Sequence, residues 1–242
     1  MLKNIFAITS TLIIASSIFL NTIPGSATSS EIKTNRKSKQ ETTEIINKIS
    51  KHDPQKPQTQ KLSKNVKDNN ELTSDQKDLK IKFNLKNKKV KLENKDKGNI
   101  TVGIPNQNQY DSVDQIDDKL VYTGKNSKTD IVVESVDGGF RQIINIKDSS
   151  APDTYDFPVE LETSEKIVLN EDGSALVKKA NGQTKLTILK PWAKDANGKD
   201  LKTEYQIFGN NLRQTIDFKD AVFPVTADPA WCGNVVSEVT WK

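Results

Sequence analysis

Short runs of alternating apolar and polar residues follow one another from Leu79 almost to the end of this 242-residue chain. A period of two places the apolar side chains of a run on one face of a β-strand. Between the runs stand pairs that tolerate the positive φ of a tight turn, among them Asp172-Gly173, Asn181-Gly182 and Asn197-Gly198. Beyond residue 78, no long stretch repeats its apolar residues every 3.6 positions. The pattern predicts an all-β fold, either an antiparallel sandwich or an open meander.

The expected strands begin with a lysine-rich run at residues 79–85. The others cover residues 90–92, 100–103, 120–123, 130–136, 140–146, 156–161, 166–169, 175–179, 185–189, 204–208, 212–218 and 222–226. Two of these runs contain Phe-Pro-Val, around Pro158 and Pro224. Because proline cannot donate to a strand ladder, both runs are expected at a sheet edge or at a bulge.

The first 27 residues have the pattern of a secretory signal peptide. A short basic start at Lys3 precedes an apolar stretch over residues 5–20, and small residues lead up to Ala27. No cysteine follows, as a bacterial lipoprotein would require, and no hydrophobic tail of a sorted wall anchor is visible. An uncleaved membrane anchor is the alternative. We expect cleavage after Ala27, export, no covalent anchor and no stable membrane insertion after cleavage.

Residues 28–78 are polar and contain no aromatic side chain. Such a segment buries too little apolar surface to offset the entropy lost on ordering, about 1–2 kcal/mol per residue. A disordered tether is therefore expected. Within it, Ile45, Ile46 and Ile49 have helical spacing and predict a transient helix over residues 41–50, which Pro54 and Pro57 would end.

Charge divides the chain into a basic front and an acidic body. Residues 79–97 carry eight lysines against two acidic residues, whereas the sequence from Gly98 onward carries sixteen basic residues against twenty-two acidic ones. The basic run offers a contact for an anionic cell-wall polymer. Alternatively, its lysines protect an edge strand from aggregation. Nucleic acid is not expected, because the run lacks a series of aromatic stacking residues. The candidate anion contacts are Lys80, Lys82, Lys86, Lys88, Lys89 and Lys91.

The single cysteine, Cys232, directly follows the last apolar run. A catalytic thiol needs a base, and the only histidine, His52, lies in the expected tether, so nucleophilic catalysis is not expected. Exported proteins normally pair their cysteines. Three explanations remain open: a partner cysteine lost by truncation, a disulfide-linked partner chain, or a buried inert thiol.

The residue inventory disfavours most other catalytic or cofactor sites. One histidine and one cysteine leave no Ser-His-Asp triad and no His/Cys metal site, and no cofactor is expected. Carboxylate chemistry stays open because glycosidases need only two suitable acids. However, Asp172, Asp195 and Asp200 are expected to be solvated turn residues, and the spacing around Asp195 does not fit an EF-hand. Trp192 is expected to cap the core, with an exposed sugar-stacking platform as the alternative.

The second half of the sequence resembles a β-module of exported proteins of Gram-positive bacteria, especially actinomycetes. The resemblance implies a secreted β-rich unit with no established catalytic activity. It rests on an ordered series of segments: YDFPVEL at 155–161, LNEDGSALV at 169–177, ILKPWAKDANGK at 188–199, YQIFGNNLRQTIDF at 205–218 and FPVTADPAW at 223–231.

These observations predict five regions. They are a signal peptide (1–27), a disordered polar tether (28–78), a basic edge strand with a first β part (79–147), the β-module (148–231) and a short tail (232–242). The expected function is that of an exported, non-catalytic protein acting at or near the cell surface, secreted or loosely wall-associated. Alternatives are a truncated or pro-region part of a secreted bacteriocin-like or toxin protein, and a carboxylate-dependent wall-glycan hydrolase.

Overall fold

The computed structural model describes residues 27–233, with side chains described from Lys39 onward. Eighteen strands in this part of the chain form two sheets in which every neighbouring pair is antiparallel. The all-β prediction is confirmed. The predicted signal peptide, except for Ala27, and residues 234–242 of the predicted tail lie outside the described residues.

The first sheet contains eight strands, and chain neighbours are also spatial neighbours along most of it. In spatial order, it consists of β1 (Ser63–Lys64), β2 (Glu71–Asp75), β3 (Leu79–Asn84), β4 (Lys89–Asn94), β5 (Gly98–Gly103), β10 (Thr154–Glu160), β16 (Asn211–Asp217) and β15 (Lys202–Phe208).

The second sheet contains ten strands. Its main path runs through β11 (Lys166–Leu169), β12 (Ala175–Lys178), β13 (Thr184–Ile188), β18 (Ala230–Cys232), β9 (Gly139–Ile146), β8 (Thr129–Val136), β7 (Lys119–Thr123) and β6 (Ser112–Ile116). Beside this path, β14 (Trp192–Lys194) pairs with β17 (Val225–Asp228), which pairs with β9.

Every strand expected from the alternation is present, and five further strands are present: β1, β2, β6, β14 and β18. The chain after Val222 forms two strands, β17 and β18, which are separated by Pro229. Both strands pair with β9. The sequence VDGGF, residues 136–140, forms the hairpin turn between β8 and β9, with Gly138 at φ 76°.

One hydrophobic core joins the parts of the chain that the sequence divided at residue 147. Phe83 of the first part and Phe157 of the second belong to the same buried cluster, and β5 pairs with β10. Trp231, at the end of the resembling segment, stacks on Phe140 with ring centroids 6.0 Å apart. Residues 79–147 and 148–231 are therefore parts of one folded unit.

Within residues 27–233, one α-helix, α1 (Ala27–His52), precedes the strands. Its last turns cover the outer face of the second sheet, where Ile49 is buried against Val121, Val132 and Ile143, and Ile45 and Ile46 pack beside it. This is why every residue of β8 and β9 is buried.

The helix forms where the isoleucine spacing predicted it and ends before Pro54. The segment expected as a tether, residues 28–78, therefore also contributes buried groups: Thr42, Ile49, Asp53, Leu62 and Leu72. The packed part of the chain begins well before the expected boundary at Leu79.

The position of β3 corrects the edge-strand prediction. Its alternation is as expected, with Leu79, Ile81 and Phe83 buried, but it lies between β2 and β4 and is hydrogen-bonded on both sides. Alternating lysines show that one face of a strand is solvated. They do not distinguish an edge strand from an interior strand, because the strands that pair with it on each side are not part of the pattern itself.

The edge prediction for the Phe-Pro-Val runs needs the same correction. Pro158 belongs to β10, which lies between β5 and β16. Pairing with β5 begins only at Val159. The missing backbone N–H of Pro158 therefore breaks no hydrogen bond to β5. Pro224 precedes β17 and lies outside the ladder.

Candidate functional site

The six lysines proposed to contact an anion lie on the β3–β4 hairpin, but acidic residues already surround most of them. Lys80 pairs with Asp75 at 3.1 Å, and Lys89 pairs with Glu160 at 2.5 Å. Glu93 accepts from both remaining strand lysines, at 2.9 Å for Lys82 and 2.8 Å for Lys91.

Glu93 and Lys82 stabilise each other's charge. Desolvation pushes the pKa of Glu93 upward, but the two lysines outweigh it and hold that pKa below its ordinary value. The hydrogen bond to Glu93 raises the pKa of Lys82. Among the six candidates, only Lys86, which is exposed, and Lys88, which is half-buried, have no described acidic partner. The positive surface open to a ligand is therefore the tip of this hairpin.

Cys232 lies in the interior, with a relative exposure of 1%. It is on β18 between β13 and β9, opposite Thr187 and Gly139. Burial, with a smaller effect of Asp228, raises the pKa of the thiol to about 12. This environment favours the buried inert thiol among the three explanations, since a partner chain reaches the sulfur only if the strand opens.

We expect Cys232 to react with a thiol reagent at least about 100-fold more slowly in the native protein at pH 8 than in urea, because the reagent needs an accessible thiolate. The rate is measured from the absorbance of the released aromatic thiolate. Similar rates in both conditions would place the thiol within reach of a partner and favour the intermolecular disulfide.

The turn carboxylates have structural partners. Asp195 was expected to be solvated, but it is buried, and its carboxylate accepts backbone hydrogen bonds from Asn197, Lys199 and Val222 at 2.8–3.2 Å. Desolvation acts to raise the pKa of Asp195, but these bonds outweigh it and the pKa is lowered. Asp172 similarly caps its own turn, through Ser174.

Trp192 occupies β14, opposite Asp228 of β17. Its side chain is half-buried, and the indole Nε1 is enclosed. The tryptophan therefore does not stand free at a rim as a stacking platform would, and its position agrees with the expected cap on the core.

An open cleft of about 700 Å³ lies beside the end of β16. Two half-buried rings, Phe218 and Phe223, meet edge to face in its wall with centroids 5.6 Å apart. Three carboxylates, Asp153, Asp217 and Asp220, lie at the same cleft and are exposed. The cleft thus combines apolar rings with acidic groups.

The most concentrated charge in the described structure is buried. Arg141 on β9 has a relative side-chain exposure of 1% and donates to two carboxylates. Its guanidinium holds Asp53 at 3.2 and 2.5 Å and Glu134 of β8 at 3.0 Å. Glu134 also pairs with Lys119 of β7. Asp228 of β17 lies 3.9 Å from the guanidinium. We call these five residues the Arg141 cluster.

The cluster ties the segment after α1 to four strands. Arg141 outweighs the desolvation of Asp53, so the pKa of Asp53 is lowered. Burial raises the pKa of Asp228 to about 7; Arg141 acts to lower that pKa, and the nearby Asp53 acts to raise it. This cluster was not predicted from the sequence. The available signal was a lone charge inside each of two apolar runs, IVVESV for Glu134 and FRQIINI for Arg141.

Within the described part of the chain, no helix is long and apolar enough to cross a membrane, and no group of three or more His, Cys, Asp or Glu is placed to hold a metal ion. Comparison of the sequence and fold with protein-family models, curated proteins and solved structures finds no match. The family resemblance of residues 148–231 therefore stays a hypothesis.

Proposed function

We propose that this protein is an exported, non-catalytic β-sheet protein that acts at or near the bacterial cell surface. The proposal takes export from the sequence pattern of the first 27 residues and the surface role from the resemblance of residues 148–231. The fold supports a stable independent module, because the two sheets share one extensive core and α1 adds a second, smaller apolar cluster on the outer face of the second sheet.

One observation carries the non-catalytic part of the proposal. The groups with strongly perturbed ionisation lie inside the core and not in a cleft: Asp228, Cys232 and the buried tyrosines Tyr122 and Tyr155. A catalytic acid, base or nucleophile must touch substrate. These groups are enclosed, and their placement supports a structural role.

The proposed partner is an anionic cell-wall polymer, and the proposed contact is the tip of the β3–β4 hairpin. Lys86 and Lys88 project where acidic partners are not described, whereas the strand lysines nearby are paired. The attraction is expected to be weak and sensitive to salt, since exposed charges are screened within about 10 Å at 0.1 M salt.

A cell-retention experiment in a Gram-positive host tests export and the contact separately. We expect a mature chain that begins near Thr28, a fraction of which stays on washed cells and is released by 0.5 M salt. The double change Lys86→Glu with Lys88→Glu is expected to lower that fraction roughly fivefold, because it replaces attraction by repulsion. The matched control is Lys199→Glu with Lys219→Glu, which makes the same charge change at exposed lysines elsewhere.

Two results would count against the proposal. An uncleaved chain that stays inside the cell would remove export. Equal retention of the two double variants would show that the hairpin tip is not the contact site, and it would not affect the proposal of export.

A second candidate, the carboxylate-dependent wall-glycan hydrolase, is favoured by the cleft beside β16. Carboxylates beside aromatic rings are the composition of many glycan sites. Incubation with purified cell walls, followed by an assay for new reducing ends, separates the candidates. Our proposal expects no release above a heat-treated sample. Release that disappears when Asp153, Asp217 and Asp220 are changed to asparagine would establish the hydrolase instead.

A further inference from the structure

Residues 39–60, here called the N-terminal arm, lie across the outer face of the second sheet. Their apolar anchor is Ile49 with its isoleucine neighbours. Their last backbone anchor is the hydrogen bond from the Gln60 N–H to the carbonyl of Ser135, at 2.8 Å. Between these two anchors, Arg141 holds the arm through its buried ion pair with Asp53 and a hydrogen bond to Gln55, and Thr59 forms a β-bridge with Val136.

The Arg141 cluster contains more acid than base. Three carboxylates, those of Asp53, Glu134 and Asp228, face two cations, Arg141 and Lys119. A buried charge without a partner is costly, so a surplus carboxyl in such a cluster takes up a proton. Asp228 is the surplus group, since its Oδ2 lies 3.9 Å from the Arg141 guanidinium, beyond hydrogen-bond distance, and the side chain facing it from β14 is the neutral indole of Trp192.

We propose that the N-terminal arm is a pH-released strap, closed while Asp228 is neutral and loosened when Asp228 ionises. An ionised Asp228 repels Asp53 and competes with it for the Arg141 guanidinium. The arm is the part that yields, because Asp53 is held by one short segment outside the sheet, whereas Asp228, opposite Trp192, lies on β17, a strand that is itself paired with β14 on one side and β9 on the other.

The charged and titratable groups around Asp228 come from five other elements. Arg141 on β9 stays charged, and Asp53 after α1 is held ionised by it. Tyr205 on β15 and Cys232 on β18 have pKa values raised by burial, to about 12 for the thiol, and stay neutral near pH 7. Burial lowers the pKa of Lys119 to about 8, so its charge is mostly retained below pH 7.5.

The direction of the effect follows from proton uptake. The pKa of Asp228 is about 7 in the closed form, compared with 3.8 for an exposed aspartate. Between these two pKa values, the closed form keeps a proton on Asp228 that the open form has lost. The stabilisation of the closed form relative to the open form is therefore lost as the pH rises through 7. The equilibrium constant for opening of the arm is expected to increase roughly tenfold between pH 5.5 and pH 7.5.

Hydrogen exchange of the full chain, followed by mass spectrometry and corrected for the intrinsic pH dependence of exchange, measures this opening. The amides of residues 42–55 are expected to lose protection roughly tenfold over that range, while the amides of β8 and β9 change little. In Asp228→Asn, which is neutral at every pH, the arm is expected to keep its protection throughout.

Two further variants make the test specific. Asp53→Asn is expected to lower the protection of the arm at all pH values. The matched control, Asp111→Asn, removes an exposed carboxylate and is expected to behave like the wild type. A loss of protection with rising pH that persists in Asp228→Asn would assign the pH effect to another group, such as His52 at the end of the same helix. That result would overturn the proposal. Constant protection of the wild-type arm from pH 5.5 to 7.5 would overturn it too.

Discussion

Replacing Arg141 by methionine is expected to lower the free energy of unfolding by about 3–5 kcal/mol, the usual loss when one partner of a buried ion pair is removed. The guanidinium is enclosed and donates to Asp53 and Glu134 together. Methionine fills much of the same volume but leaves those carboxylates inside the protein with Lys119 as their remaining cation. Urea unfolding followed by circular dichroism measures the change.

The matched control for this change is Arg213→Met. Arg213 also makes a two-point ion pair, with Asp156 at 2.6 and 2.8 Å, but that pair is partly open to solvent. Water and salt screen an exposed pair, so its loss is expected to destabilise the protein much less. Equal losses for Arg141→Met and Arg213→Met would mean that the Arg141 cluster is hydrated in solution.

Replacing Trp231 by alanine is expected to cost about 3–5 kcal/mol of stability. Its side chain has no exposed surface, stacks on Phe140 and meets Phe157 edge to face at 5.8 Å. Because Phe140 belongs to the second sheet and Phe157 to the first, the indole fills the space between the two sheets. Alanine leaves a cavity there that the two flanking sheets cannot close without repacking.

Phe208→Ala is the comparison for this second prediction. Phe208 is 57% exposed at the β15–β16 hairpin and is covered on one side by Arg213, 4.2 Å from the ring centroid. Its loss is expected to cost about 1 kcal/mol or less. If the unfolding midpoints of Trp231→Ala and Phe208→Ala coincide, Trp231 does not join the sheets in the way described.

Local patterns in the sequence were sufficient for thirteen of the eighteen described strands and for the part of the helix at residues 41–50, which was expected to be only transient. Alternation in the run from Leu79 determines which side chains face the core, since successive residues of a strand point to opposite sides. The isoleucine spacing before Pro54 determines a helix and its end. Both signals operate between residues that are near one another in the chain, and so they can be read without knowing the fold.

The environment of each functional candidate was decided by partners distant in sequence. Within the basic run, Lys89 is paired with Glu160, 71 positions away. Cys232 is inert because β9 and β13 enclose it. Arg141 became the centre of a charged cluster because Asp53 and Asp228, 88 and 87 positions away, arrive beside it.

By itself, the sequence determined that this protein forms an antiparallel β-structure, and it indicated a transient helix over residues 41–50 before it. Only the tertiary structure decided that the two halves share a core, which lysines stay open at the hairpin tip, and that a surplus carboxyl is buried beside the arm. The physical reason is that periodicity and turn chemistry are local, whereas burial and ion pairing are set by which strands become neighbours.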